Sequence, residues 1–376
     1  MAFMRAFYRR CSTLRPPVRI PCKRLSDPAA TQRRARAWSD YWSSGALHSC
    51  AGSYSGNYGG AIADFWRAVF AGLAPQARVL DLCCGNAPLS KLLLEQSDGF
   101  EGGIDAVDAA RVAPAWIASL PDAGPRHIRV RGEVDARALP FAAAGFDLCM
   151  SQYGIEYAGT EAMREVVRVL KPDARFAAVL HHVEALPVRI AREELEHVAW
   201  LRQAQGLLES AHGLIEPIAR SATPAGQASL RADLRAHAAR DRFNASMREL
   251  DARVQSATFA DVLVEVRDRV AAALNRARAE GEVAARAAWA QIDEGLEANE
   301  LRQRELVEVA LTKPGCAACC RPWEIRPRIC KCSNSSVAAL RAGQSGRVAP
   351  EPGRGRRSLA DRVCSGRECW RYRSCL

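Results

Sequence analysis

Val79-Leu80-Asp81-Leu82-Cys83-Cys84-Gly85-Asn86-Ala87-Pro88-Leu89 is an apolar run that ends on small residues and leads into a helical pattern. A continuous apolar run with an acid near its end reads as a strand buried on both faces. In open α/β sheets, ligands bind outside the carboxyl ends of such strands, where the chain crosses over. Gly85 has no Cβ, so its φ can be positive and a ligand can lie directly against its backbone. A single glycine at one strand-turn-helix junction is a weak signal, so its weight depends on what surrounds it.

Outward from this turn, short apolar runs alternate with helix-length segments. Strands are expected at 78–82, 103–107, 127–130, 146–151 and 175–181. Helices are expected at 89–96, around 113–120 and at 161–170. Alternation at this spacing argues for βαβ units and a parallel sheet. Before the first strand, Trp38, Tyr41 and Trp42 cluster, and Ile62, Phe65, Trp66, Val69 and Phe70 recur at helical spacing.

Acids recur at successive strand ends. Asp108 closes Ile104-Asp105-Ala106-Val107-Asp108, where a carboxylate can accept from two vicinal ribose hydroxyls. Asp105 competes for that role, depending on where the strand stops. Asp135 precedes Ala136-Arg137-Ala138-Leu139-Pro140-Phe141, a position from which a carboxylate can accept from an exocyclic amino group. Each acid alone reads as a solvated turn residue; three in register along one sheet read as a nucleotide site.

In order along the chain, VLDLCCGNAPLS, IDAVDAA, VDARALPF, FDLCMSQYGIEYA and EVVRVLKPDARFAAVL resemble the motifs of class I S-adenosylmethionine-dependent methyltransferases. The resemblance covers roughly residues 38–182. It is nearest to the small-molecule enzymes that include quinone-biosynthesis C-methyltransferases. It implies an α/β, Rossmann-like class I methyltransferase sheet with flanking helices, a long helical insertion after the fifth strand, and S-adenosyl-L-methionine as cofactor. By that resemblance Asp81, Gly85 and the backbone from Cys83 through Asn86 to Ala87 line the methionine part. Asp108 holds the ribose, and Asp135 with Ala136 holds the adenine. Ser151 and Gln152 lie beneath the sulfonium and face the acceptor. The family turn usually has Gly where Cys83 and Ala87 stand, and Lys171-Pro172-Asp173-Ala174 replaces its usual Lys-Pro-Gly-Gly.

Methyl transfer from a sulfonium has an activated leaving group, so the protein mainly supplies alignment and a dry site. An oxygen or carbon nucleophile also needs a base within hydrogen-bond reach. His181 and Tyr153 are the candidates, with His182 and His48 behind them; Glu156 and Tyr157 read as pocket wall. Trp38, Tyr41, Trp42 and Tyr54 read either as core or as a cover for the cofactor.

The 376-residue chain has a formal net charge of +11, which by itself points to a polyanionic partner. That figure averages unlike parts: residues 1–36 carry +9, residues 313–376 carry +10, and the middle carries −8. An acidic body suits a cationic cofactor and disfavours nucleic acid. The Ser151-Gln152-Tyr153-Gly154 stretch also lacks the Asn/Asp-Pro-Pro-aromatic pattern used on base nitrogens. No apolar run is long enough for a membrane span. The expectation is therefore a cytoplasmic methyltransferase with a small-molecule acceptor. The alternative is a catalytically impaired cofactor-binding or scaffold protein of the same fold.

Four segments follow. Residues 1–36 form a basic extension, read as disordered in preference to a transit peptide because Pro16, Pro17 and Pro21 interrupt an amphipathic helix. Residues 37–187 form the cofactor domain. Residues 188–312 are helical, with stripes at Phe243, Met247, Leu250 and Val254 and at Phe259, Val262, Val266 and Val270. Those stripes pack on each other or on the sheet, or serve as a lid. Residues 313–376 hold eight of the fourteen cysteines. Cys316, Cys319, Cys330 and Cys332 resemble zinc pairs, but the second pair is too tight. A disordered tail without metal fits better, which leaves the final strands of the fold in doubt.

Overall fold

Arg78–Leu82 forms β1, the centre of a five-stranded parallel sheet of order β3-β2-β1-β4-β5. The structure is a computed structural model and describes residues 28–49, 56–97, 99–120, 127–312, 326–332 and 335–341. The other strands are β2 (Gly103–Val107), β3 (His127–Arg131), β4 (Phe146–Gln152) and β5 (Leu170–Val179). Helices α1 (Pro28–Ser43) and α2 (Gly60–Phe70) precede the sheet, α3 (Pro88–Gln96) links β1 to β2, and α4 (Ile155–Val169) links β4 to β5. The strand order reverses direction at β1, so β1 and β4 diverge at the switch point where such sheets bind ligands.

The core explains why the strand at Val79 reads so strongly. Val79, Leu80 and Leu82 are fully buried, as are Leu148, Phe176 and Ala178 on the neighbouring strands. Of these, Leu80, Leu82, Phe176 and Ala178 form one apolar cluster with Val166 and Val169 of α4.

Three expected elements differ. The segment near 113–120 is only a 3₁₀ turn, Ala115–Ser119, because Pro114 and Pro121 leave too few residues for an α-helix. Helix α4 starts at Ile155, six residues earlier than its pattern indicates, because Gly159 (φ +75°) kinks it and hides the first turn. Strand β5 starts earlier and ends at Val179. Its first pair, Phe146 with Leu170, is followed by Leu148 with Arg175, so the chain around Pro172 bulges.

The described chain divides into two units. Among the described residues, one holds 28–47, 58–182 and 309–341 and the other 48–57 and 183–308. The first unit also holds a hairpin where the sequence leaves strands in doubt: β6 (Arg326–Cys332) pairs antiparallel with β7 (Ser335–Arg341), and β7 lies beside β5. Cys316 and Cys319 of the supposed zinc set lie outside the described residues, as do residues 1–27 of the basic extension.

The second unit is all helical: α5 (Leu186–Leu201), α6 (Leu207–His212), α7 (Ile215–Arg220), α8 (Pro224–Leu230), α9 (Leu234–Ser256), α10 (Asp261–Glu280) and most of α11 (Glu282–Val309). Leu250, Val262, Val266 and Val270 meet in one core, with Phe243, Met247 and Val254 against it, so both stripes bury within this unit. Asp233 caps α9 by accepting from Arg235 N and Ala236 N.

That core contains a carboxyl, Glu194, which accepts from Gln303 Nε2 at 2.6 Å. Burial pushes it up to about 7, and the charges of Asp261 and Glu265 add to this against hydrogen bonds from Asn299 and Gln303. A raised acid pKa favours the fold while the group is neutral, so this unit should lose stability as pH rises from about 4.5 through 7. The full effect is roughly 3 kcal/mol. Glu194→Gln should accordingly raise the thermal midpoint at pH 8 and leave it nearly unchanged at pH 5. Circular dichroism melts at the two pH values check this; equal shifts at both would rule out the carboxyl as the cause.

Candidate functional site

The turn after β1 is held by two carboxylates. Asp81, 1% exposed, accepts from Ser90 Oγ at 2.7 Å and from Ser90 N at 3.2 Å, tying β1 to α3. Burial lifts its carboxyl to about 7 against those hydrogen bonds. Asp108, the first residue beyond β2, accepts from Gly85 N through Oδ2 and from Ala110 N through Oδ1, each at 2.8 Å. Burial raises its pKa although the two N–H donors act the other way. Asp105 lies within β2 and pairs with Arg78 at 3.1 Å and Arg131 at 3.2 Å. The strand therefore ends where Asp108, and not Asp105, reaches the turn.

The turn's backbone shows why glycine would suit positions 83 and 87. Cys83 and Ala87 both have φ +55°, and Gly85 has φ +52°. An L-residue in this region costs about 1–2 kcal/mol, so this chain stores backbone strain at two positions of its ligand turn. Gly85 itself differs from expectation. A Cβ there would lie 2.4 Å from Cζ2 of Trp42, so the indole already covers the face that the sequence reading left open to a ligand.

The Asn86 side chain is held by the end of α1 and the residues after it. Its Nδ2 donates to Trp42 O at 2.9 Å and Ala46 O at 2.8 Å, while its own carbonyl accepts from Trp116 Nε1. It fastens the end of α1 and the residues after it over the turn. Its Oδ1 is buried without a partner among the described residues.

At the end of β4, Ser151 is fully buried, donates to Leu82 O at 2.9 Å and accepts from Ile155 N at 3.1 Å. The hydroxyl joins β4 to β1 and starts α4. Gln152 Oε1 accepts from Trp66 Nε1 at 2.6 Å, and its Nε2 is buried without a partner among the described residues. Asp135 sits beside β3 with its carboxylate gripped by Arg137 Nε and Nη2. Partial burial would raise its pKa, but the Arg137 hydrogen bonds and charge hold it below the usual range. Ala136 next to it is buried.

The base candidates separate. His48 is hydrogen-bonded to Gly56 O at 3.0 Å, and burial lowers its pKa. His182 is buried and bridges to Leu311. His181 Nδ1 lies 2.8 Å from Glu156 Oε1, and its ring stacks on Tyr153 with centroids 4.3 Å apart. Sequence reasoning placed Glu156 only in the pocket wall, because the kink at Gly159 hid the helical turn that carries it. It also missed Ser90, whose one signal is its place in the first turn of α3.

Cys83 records the electrostatics of the whole site. Burial pushes its thiol up, and the charges of Asp108, Glu156, Asp81 and Asp135 push it further. Four carboxylates thus converge on one turn at the carboxyl end of the sheet, a donor set suited to a cation. Among the described residues no group of three or more His, Cys, Asp or Glu is placed to hold a metal ion. None of the described helices is long and apolar enough to cross a membrane.

Residues 79–173 match the family model described as a methyltransferase domain. This stretch, about a quarter of the chain, is similar to a methyltransferase domain. The chain is 28% identical over 160 residues to the 2-phytyl-1,4-naphtoquinone methyltransferase of Synechocystis, covering 40% of this chain and 67% of that one. To the enzyme of the same name from Thermosynechococcus vestitus it is 35% identical over 106 residues, 28% of this chain and 45% of the relative. Among solved structures it is similar to geranyl diphosphate C-methyltransferase from Streptomyces coelicolor, at 16% identity and TM-score 0.33, covering 42% of this chain and 66% of that one. The matched stretch spans about two thirds of the Synechocystis relative and under half of the Thermosynechococcus one. All of these matches fall short of half of this chain, so the helical unit has no counterpart in the family model's 79–173.

Proposed function

We propose that the protein transfers a methyl group from S-adenosylmethionine to a small organic acceptor. The observation that carries this reading is the convergence of Asp81, Asp108, Asp135 and Glu156 on the turn at Cys83. Such a field attracts a sulfonium and an ammonium and repels a polyanion. When bound, the cofactor supplies an electrophilic methyl carbon with a neutral sulfide as leaving group. Asp108 would hold the ribose with the acceptor capacity left beyond Gly85 N and Ala110 N. Asp81 would supply negative charge beneath the methionine part, and Asp135 with the backbone of Ala136 would face the adenine. Ser151 and Asn86 keep the turn in place without touching the ligand, and Trp42 covers it.

The strained Cys83 and Ala87 favour a second reading, a cofactor-binding protein without turnover. Calorimetric titration with S-adenosylhomocysteine, followed by transfer of labelled methyl to a panel of quinols and phenols, separates the two. Saturable one-site binding with label in an acceptor is the expected result. Absence of binding heat would sink both readings, and binding without transfer would favour the second.

A further inference from the structure

We infer that Glu156 is a positioning residue that sets His181 as the base for an aromatic acceptor activated by loss of an O–H proton. The inference rests on the methyltransferase reading above and names the substrate class of that site.

Glu156 stands in the first turn of α4 with its side chain 2% exposed, and His181 follows β5 with its side chain 7% exposed. Oε1 of Glu156 accepts from the backbone N of His181 at 3.1 Å and lies 2.8 Å from Nδ1 of the same residue. An ionised carboxylate only accepts, so Nδ1 carries the hydrogen and Nε2 keeps its lone pair. No described residue hydrogen-bonds that Nε2. Tyr153 stacks on the ring with planes 24° apart, and Tyr157 meets it edge-on with centroids 6.3 Å apart. The imidazole is therefore fixed in position and in tautomer.

This arrangement costs stability. Oε2 of Glu156 is buried with no partner among the described residues, and an unsatisfied buried charge is expensive. A glutamine could accept the same two hydrogen bonds through its carbonyl and would leave a neutral, not a charged, group unpaired. Retaining the carboxylate makes sense where a charge must form on the imidazole.

The dyad also sits beside the cofactor turn. Gly154, two residues before Glu156, leaves no room for a Cβ, which would lie 2.4 Å from Cβ of Cys83. From the dyad an aromatic wall runs back to the turn: Tyr157 is edge-on to Trp38 at 6.0 Å, Trp38 stacks on Trp42 at 5.9 Å, and Trp42 covers Gly85. Flat rings beside a base suit a flat, hydroxylated aromatic ring.

In the step assigned to this dyad, the acceptor O–H bond breaks, the proton joins Nε2 of His181, and the electron pair stays on oxygen. The resulting oxyanion is a nucleophile at oxygen or, through the ring, at the ortho carbon, whose own ring hydrogen then leaves as a proton to water to restore the aromatic ring. The charge of Glu156 balances the imidazolium until Nε2 returns its proton to water.

The titratable groups facing His181 are Glu156 and Tyr157 from α4, Tyr153 from the preceding loop and the adjacent His182. The test uses the full chain labelled with ¹⁵N-histidine, loaded with S-adenosylhomocysteine, and 4-nitrocatechol as acceptor probe in turnover assays. The wild type should show His181 protonated at Nδ1. Glu156→Gln should remain folded, lower the 4-nitrocatechol rate and change its pH profile relative to the wild type. His181→Gln should cut that rate by about 10²–10⁴-fold and leave the S-adenosylhomocysteine affinity unchanged. An Nε2–H tautomer, a rate and pH profile unchanged in E156Q, or no methylation of the probe would each overturn the assignment. If those failures came with intact S-adenosylhomocysteine binding, the cofactor reading would stand; loss of that binding in the wild type would remove both.

Discussion

Replacing Asp108 with alanine should weaken S-adenosylhomocysteine binding by about 10²–10⁴-fold, measured by calorimetry. Two charge-assisted hydrogen bonds to vicinal hydroxyls, each worth about 1.5–3 kcal/mol, account for a loss of that size. The same carboxylate accepts from Gly85 N, so the substitution also frees the turn against which the ligand lies. Thermal stability should change far less than affinity. Burial already disfavours the ionised form of Asp108, and alanine relieves that penalty while forfeiting the hydrogen bonds from Gly85 and Ala110. Asp108→Asn should fall between, since its amide can accept at one oxygen only. Affinity within threefold of the parent for the alanine variant would show that the ribose is held elsewhere.

The part of this protein that was legible in its sequence is the part governed by local, repeated constraints. The apolar run at Val79, the acids spaced along successive strand ends, and the order of the motifs all follow from a sheet buried on both faces with its ligand at the carboxyl ends. Even the departures from family pattern were readable: Cys83 and Ala87 stand where glycine is usual, and both take the left-handed conformation that explains the preference.

What escaped the sequence depends on which way a side chain turns. Ser151 follows a strand in the register expected of a ligand contact, yet its hydroxyl is consumed between Leu82 and Ile155. Asn86 lies within the turn but faces Trp42 and Ala46. Residues 44 and 40 positions away in the chain decide that, and no local pattern records them. Glu156 illustrates a different failure. A glycine with φ +75° splits its helix, so periodicity began only after the break and the carboxylate was read as wall. The hairpin β6–β7 was missed because arginine, cysteine and serine dominate its composition, which masks the alternation a strand normally shows.

Asp81 carries the other large effect, and there stability and function should oppose each other. Its pKa in the folded protein is about 7 against an ordinary 3.8, so the neutral form suits the fold. The stability from that form is complete below about 3.8 and is lost as pH rises through 7, for a total of roughly 4 kcal/mol. Asp81→Asn keeps an oxygen for Ser90 Oγ and Ser90 N while removing the charge. D81N should therefore be more stable than the parent by about 2–4 kcal/mol at pH 8, with the difference shrinking toward pH 5. Urea unfolding followed at both pH values reads this directly. The ligand side runs the other way. A carboxylate beneath the methionine part favours the sulfonium of S-adenosylmethionine over the neutral sulfide of S-adenosylhomocysteine. One unit charge in a partly screened site is worth roughly 1–2 kcal/mol, or about tenfold in that preference. The preference should fall in the parent as pH drops from 8 to 6 and be about tenfold smaller in D81N at pH 8. A D81N protein that keeps the preference would place the charge that selects the sulfonium on Asp108 or Glu156, and one no more stable than the parent at pH 8 would mean that ionising Asp81 costs the fold nothing.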